Sequence, residues 1–324
     1  MSTHTINSIS TPIIHLIGPG TLKVNNGRLA YSTGQGTPMR LDLKTIQHIH
    51  CFGPVGMSDQ AIVLLLKHNI PVCFLTSTGK TFCGSFQHLR QDTTLLRLNQ
   101  YRASSDAKFQ LGMAKFWVME KITSQINATR HYQRQGKADG KYLVRLQATL
   151  EKIKTQTNIA SLRGNEGETS ALWFELFGKL FLLPWKFTTR NRRPPTDPVN
   201  ALLSLGYTLL VSRTTALCQA EGLESMLGTL HEYRSGRPSL ACDIMEPLRV
   251  PMVDRWVIML CNQNQISPQD FYTDKKGVLL KREVFPKVVA FWEEYNYKNG
   301  FCDKLTGYIK HFSSCVRSFG QKER

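Results

Sequence analysis

The sequence predicts an α+β fold, with an N-terminal β-rich domain over residues 1–91 followed by a larger all-α domain over residues 92–324. Two observations carry this. Short apolar runs punctuated by turn residues fill the first ninety positions. Proline is then absent between Pro71 and Pro184, while apolar residues recur at helical spacing. A length of 324 residues suits two domains of ordinary size, and a hydrophobic content of 41% suits packed cores.

Taken in order, strands are expected in IIHLIG and TLKV, then a turn at Asn25-Asn26-Gly27, then RLAYST, and MRLDL after a Gly-rich loop. The run SDQAIVLLLKH, from Ser58 to His68, is too continuously apolar for a polar-faced strand. It reads as a short buried helix capped by Ser58. Strands IPVCFLT and KTFCGSF follow. Near Asp92 the pattern changes to TLLRLNQYRA and then to the long helical run AKFQLGMAKFWVMEKITSQINATRHYQRQ. The prolines of TTRNRRPPTDPVN, residues 188–200, forbid a continuous helix there and mark a loop.

Charge points to the partner. Lys and Arg number 41 against 24 Asp and Glu, a formal net charge of +17. That is more than solubility asks and implies a polyanion. Residues 1–90 hold only 7 basic and 2 acidic residues, so the excess is not a basic tail on a neutral body. No stretch approaches twenty consecutive apolar residues, and MSTHTINSIS lacks the basic start and apolar run of a secretory signal. The expectation is a cytoplasmic protein with no membrane partner. Eight scattered cysteines, none at C-x-x-C spacing, read as reduced thiols and small core residues.

Three segments place acids or imidazole where a fold can gather them. RGNEGETSALWFELF offers Glu166, with Glu168 and Glu175 as competitors; by itself a glutamate early in a helix is ordinarily a partner of the helix dipole. GLESMLGTLHEYRSGRPSLACDIMEPLR carries His231, then Asp243 and Glu246, three apart and so on one helical face bordered by apolar residues. The plain alternative is a surface ion pair with Arg249 or Arg255. Carboxylates with a histidine suit Mg2+ or Mn2+ rather than thiolate-seeking metals. Such an ion serves phosphodiester chemistry.

Several of these segments together resemble the CRISPR-associated Cas-one family of integrases, over about residues 13–296. RGNEGETSALWF is similar to the first metal-ligand segment, with Glu166 at the ligand position. RRPPTDPVNALLSLGYTLL, residues 192–210, is similar to the loop-and-helix signature, including Asn200, Ser204, Gly206 and Tyr207. The segment GLESMLGTLHEYRSGRPSLACDIMEPLR is similar to the second and third, with His231 and Glu246 as ligands. DLKTIQHIHCFGPVGMSDQAIVLLLKHNIPVCFLTSTGKTFCG is similar to the β-domain. One departure is GLESMLGTLH, which carries Glu224 and Ser225 where the family often has an aspartate or glycine-rich pattern.

The resemblance implies catalytic residues and metal ligands Glu166, His231 and Glu246, holding Mg2+ or Mn2+, with Asp243 a ligand, a water-mediated neighbour or an orienter of His231. The larger domain is then the catalytic one. It implies a homodimer formed through the β-domains, two dimers bridged by a small Cas-two partner, and DNA as substrate, both prespacer and CRISPR repeat. The reaction implied is transesterification by a prespacer 3′-hydroxyl at a repeat border. The alternatives are a metal-dependent endonuclease on branched or single-stranded DNA, and an idle DNA-binding scaffold. Candidate phosphate contacts are Arg130, Arg134, Lys137, Lys141 and Arg145, and in the loop Arg190, Arg192 and Arg193. Tyr132, Tyr142, Trp173 and Tyr207 are candidate stacking residues, with Tyr207 expected to pack or to support the site instead. Arg163, Arg237 and Arg249 are candidates to stabilise charge on the attacked phosphate.

Overall fold

The computed structural model describes residues 13–34, 36–88, 93–191, 194–275 and 277–322. The α+β class is as expected: strands early, helices after. The chain separates into two compact units, one of residues 1–91 with 280–300 and one of residues 92–279 with 301–324. A contiguous division at 91/92 does not provide for segment 280–300, which returns to the strand-rich unit.

That first unit contains β1 (Ile13–Ile17), β2 (Gly20–Asn25), β3 (Arg28–Ser32), β4 (Met39–Leu41), β5 (His48–Phe52), β6 (Val55–Met57), α1 (Asp59–Lys67), β7 (Val72–Leu75) and β8 (Phe82–Phe86). Its later helix, Phe285–Lys298, is α9 by its place in the chain. Strands β4-β3-β2-β6 form one sheet and β1-β5-β7-β8 another. The hairpin β2–β3 turns through Asn26 and Gly27, both at positive φ, the geometry that an Asn-Gly pair serves in a tight turn. Ser58 caps α1 by accepting a hydrogen bond from the Ala61 amide. In the second sheet β1, β5 and β7 run parallel, so residues in register share a face. Ile14, Ile49 and Val72, with Leu16 and Cys51, enter an apolar core with Ala61 and Leu65 of α1. The strand β5 was not expected; its alternation of imidazole with apolar side chains hides a buried strand.

The second unit holds α2 (Thr94–Ala103), α3 (Ala107–Arg134), α4 (Gly140–Lys154), α5 (Ile159–Lys179), α6 (Pro198–Glu221), α7 (Ser239–Met245), α8 (Arg255–Asn262), a small pair β9 (Phe271–Asp274) and β10 (Gly277–Leu280), and α10 (Phe301–Lys322). Side-chain caps start four of these helices: Asp106, Asp139, Asn158 and Asp197. Between α7 and α8 the backbone tightens into a 3-10 turn at Glu246–Leu248 and then widens into a π-helical stretch, Arg249–Asp254. The wide turn is a local change of pitch of the kind found beside functional sites. Helix α6 is long and apolar enough to cross a membrane by length and composition, beyond what the sequence suggested. Its apolar window is 72% buried within the protein, the situation of a core helix. At Gly206 a Cβ would stand 2.6 Å from a Val253 methyl, so only glycine permits α6 to lie this close to the π-helical stretch.

Candidate active site

The site begins with an anomaly on α3. The buried stripe of that helix runs Ala114, Trp117, Val118, Lys121, Ile122, Gln125, and Lys121 is only 3% exposed. An ammonium ion in such a stripe needs anions. It has two: Lys121 Nζ bonds Glu166 of α5 and stands 2.6 Å from Glu246 Oε2. The Ser170 hydroxyl donates to Glu166 at 2.9 Å, and Arg249 donates to Glu246 Oε1 at 2.8 Å. The other glutamates of α5 face outward, Glu168 toward Arg145 and Glu175 toward Tyr142 and Lys179. Of the three, Glu166 alone joins Glu246.

Glu246 is buried, which by itself would raise its pKa. Arg249, Lys121 and His231 outweigh that and hold it well below the usual carboxylate range. The ion pair with Arg249 exists, as the plain alternative supposed, but it is buried and part of a larger network rather than a surface pair.

His231 is placed by Asp243. This fully buried carboxylate accepts from the amides of Thr229, Leu230 and His231, at 2.6, 2.9 and 2.9 Å, and from His231 Nδ1 at 2.6 Å. Three successive amides and a ring nitrogen consume its lone pairs, so its geometry is that of an orienter. Nδ1 being engaged, Nε2 is the nitrogen of His231 left for another partner. Burial would lower the His231 pKa, but Asp243 and then Glu246 outweigh it and raise the pKa. Gly228 makes the cradle possible: a Cβ there would stand 2.8 Å from Asp243 Oδ2 and 2.9 Å from Ser239 backbone.

A supporting layer follows. Arg249 lies over the Tyr207 ring at 4.3 Å, and the Tyr207 hydroxyl donates to Asp254. Trp173 Nε1 donates to Asp254 at 2.7 Å. Burial raises Asp254 to about 6, against the lowering effects of Tyr207, Arg249, Trp173 and Arg190. Asn200 is fully buried: its oxygen accepts from the Asn191 amide and from Arg190, and its amide group donates to Thr189 O and Asp197. Ser204 also receives Arg190. Tyr207 therefore supports the site, as expected, and Tyr132, Tyr142 and Trp173 are buried core residues rather than stacking surfaces.

The cationic candidates divide by environment. Arg163 donates to Leu230 O at 2.8 Å and pairs with Glu232, while Arg237 reaches Glu232 O and Ser239, so both brace the loop that presents His231. Arg190 is a pin within the α6 loop; Arg192 and Arg193 lie outside the described residues. Arg130, Arg134, Lys137, Lys141 and Arg145 are all exposed along the end of α3 and the start of α4. Burial, Arg255, Arg134 and Lys137 lower the His131 pKa, the signature of a shared positive patch. Sequence reasoning missed Lys121 and also Tyr233, which is 70% exposed two residues beyond His231.

The donor set fits a hard divalent cation: two carboxylates already converge on one positive charge, and an imidazole with a fixed tautomeric partner adjoins Glu246. Glu166, His231 and Glu246 are not drawn into a tight three-donor cluster, because the Lys121 ammonium stands between the carboxylates.

Compared with known proteins, residues 14–294 match the family model described as CRISPR associated protein Cas1. The chain is 31% identical over 274 residues to CRISPR-associated endonuclease Cas1 3 of Thermus thermophilus, covering 85% of this chain and 79% of that one. Among solved structures it is similar to a CAS1 protein from Thermotoga maritima, with TM-score 0.81 and 23% identity over 94% of this chain and 96% of that chain. It is likewise similar to a chain of a partial Cas6-RT-Cas1–Cas2 complex, with TM-score 0.71 and 25% identity over 94% and 95%.

Proposed function

Because this chain belongs to the CRISPR-associated Cas1 family, a family of endonuclease and integrase enzymes, we propose that it joins prespacer 3′-hydroxyl ends to CRISPR repeat borders by metal-dependent transesterification. The observation that carries this reading is the convergence of Glu166 and Glu246 on one buried positive charge, beside a histidine fixed by a buried aspartate.

In this reading Glu166, His231 and Glu246 hold Mg2+ or Mn2+, Lys121 yielding the space between the carboxylates. The ion, when bound, polarises the phosphoryl oxygen, assists deprotonation of the attacking hydroxyl and stabilises the leaving oxygen. The chain's own residues prepare for this. Arg249 keeps Glu246 ionised, Asp243 turns His231 Nε2 outward, and Tyr207 with Asp254 fixes Arg249. One phosphodiester replaces another: a P–O bond forms to the prespacer oxygen, one breaks on the repeat strand, and the released oxygen takes a proton. Water in place of the hydroxyl gives a cut instead of a joint.

The exposed cations from Arg130 to Arg145 suit the DNA backbone, and Tyr233 with Arg234 suits DNA beside His231. A homodimer through the strand-rich unit, bridged to a second by a Cas2 protein, is the assembly proposed; the relative solved in a complex with Cas2 supports that partner. The working compartment is the cytoplasm.

The test uses a labelled duplex with a 3′-hydroxyl and a supercoiled plasmid carrying a repeat, with Mn2+ or EDTA, with and without the Cas2 partner. Wild type should give metal-dependent joined product, and Glu166→Ala and His231→Ala none, while Glu168→Gln stays near wild type. Cutting without joining would replace integration by nuclease action. Equal loss in Glu168→Gln would overturn the choice of glutamate.

A further inference from the structure

The strand-rich unit holds a gathering of donor groups of its own. In its parallel sheet His15 of β1, His50 of β5 and Cys73 of β7 are partners in register, so their side chains leave the same face. His48 stands two residues before His50 and shares that face. The neighbouring rung, Ile14, Ile49 and Val72, points the other way into the apolar core. On the histidine face the next rung is apolar again, with Phe52 meeting Phe285 edge to face at 5.2 Å between ring centroids.

All the polar members are buried: His15, His48, His50 and Cys73 at no more than 1% exposure, and Glu293 of α9 at 1%. The donor atoms of His48, His50 and Cys73 all lie within 4.8 Å of one another, and so do those of His15, His50 and Glu293. The two triads share His50. Ring centroids are 4.4 Å apart for His48 and His50, and 5.1 Å for His15 and His50. Glu293 engages His15 Nε2 at 2.6 Å. The other ring nitrogen of His15, Nδ1, is buried and has no hydrogen-bond partner among the described residues.

We propose that this face is a structural site for a zinc-class divalent ion, with His48, His50 and Cys73 as ligands, His15 as the fourth, and Glu293 orienting His15. Imidazole nitrogen with one cysteine sulfur is a donor set of tetrahedral Zn2+, not of Mg2+ or Mn2+. With Zn–N of about 2.1 Å and Zn–S of about 2.3 Å, tetrahedral ligands stand roughly 3.5 Å apart, so closing the His48, His50 and Cys73 triad needs side-chain movements of about 1 Å. His15, whose donor atom lies with those of His50 and Glu293, turns further to become the fourth. A carboxylate holding the outer nitrogen of a ligating histidine is the usual way such a ring is fixed. On binding, the Cys73 S–H bond breaks, an S–Zn bond forms and the proton leaves to solvent; no electron is exchanged. The ion ties β1, β5 and β7 together and, through Glu293, holds α9, a helix more than two hundred residues later in the chain.

Co2+ is the probe, added to full-length protein stripped with a chelator. Wild type should take up one equivalent with tetrahedral d–d absorption and a thiolate-to-cobalt charge-transfer band, both displaced by Zn2+. Cys73→Ser should lose the charge-transfer band, and His48→Gln should weaken binding at least tenfold. Cys83→Ser and Glu166→Ala should leave the spectrum unchanged, which separates this site from the exposed thiol and from the carboxylates. Folded wild type with no such spectrum would overturn the proposal, as would a thiolate band that survives Cys73→Ser. If Cys73→Ser does not fold, His48→Gln and the wild-type spectrum decide; a spectrum unaltered in His48→Gln also overturns it.

Discussion

Replacing Lys121 with methionine removes the charge that two glutamates share while nearly preserving side-chain volume. Lys121 and Glu246 are buried, with side chains 4% and 3% exposed, and their charged atoms stand 2.6 Å apart. Removing one partner of a buried pair costs about 3–5 kcal/mol, because the other charge stays buried. Arg249 remains on Glu246, and the Glu166 side chain is 24% exposed, so the lower end applies, about 3 kcal/mol. For a unit of this size that lowers the melting temperature by roughly 6–12 °C. A divalent ion should reverse much of the loss, since it meets both carboxylates without a competing ammonium; at a hundredfold excess over Kd the gain is about 2.7 kcal/mol. The assay is thermal unfolding by circular dichroism in EDTA and in Mn2+, for wild type and Lys121→Met. The expected pattern is a large deficit in EDTA and a larger Mn2+-induced rise in the variant than in wild type. Equal Mn2+ shifts in the two proteins would refute the idea that Lys121 occupies the cation's place, and an unchanged melting point in EDTA would refute the energetic role of the pair.

Three other perturbations test the surrounding layer. The raised pKa of His231 means that its ring stays protonated to higher pH than an ordinary histidine, so affinity for Mn2+ should climb as pH rises through that pKa. Asp243→Asn should move the climb to lower pH, and calorimetric titration across pH shows it; a profile that stays put refutes the coupling. Asp254, at about 6 when folded against an ordinary 3.8, binds its proton more readily in the native state. Stability should therefore increase as pH falls from about 6 to about 4, by roughly 3 kcal/mol, against whatever other acids contribute. Asp254→Asn should erase that increment in denaturant melts. Finally, the double variant Arg134→Ala, Lys137→Ala should weaken DNA binding and flatten the log–log salt slope by about 2, one phosphate contact each; an unchanged slope would make that patch an ordinary solvated surface.

Much of the strand-rich unit was legible because its signals are local. The Asn26-Gly27 turn and the Ser58 cap each need only a few neighbouring residues to be recognised. The strand β5 was not legible, since its alternating His48, Ile49, His50, Cys51 reads as half polar, whereas both its faces are buried. The return of α9 to the first unit is a tertiary choice that no local pattern encodes; its marks include Glu293 on His15 across 278 residues and Phe285 against Phe52.

The candidate site shows the same division more sharply. Glu166, Glu168 and Glu175 are alike in the sequence, and periodicity alone does not choose among them. The structure separates them through what stands opposite: exposed Arg145 and Lys179 for two, buried Lys121 for the third. Lys121 itself did leave a sequence trace, a cation at the centre of the stripe Trp117, Val118, Ile122, Gln125, where a helix buries its apolar face. A buried cation demands a buried anion, and a buried anion on another helix demands its own reason to stay ionised. Following that demand leads from Lys121 to Glu246, from Glu246 to Arg249, and from Arg249 to Tyr207 and Asp254. The signature residues of the α6 segment thus act on the site at one remove: they set the position of an arginine that keeps a glutamate charged, which is the state in which it can hold a metal.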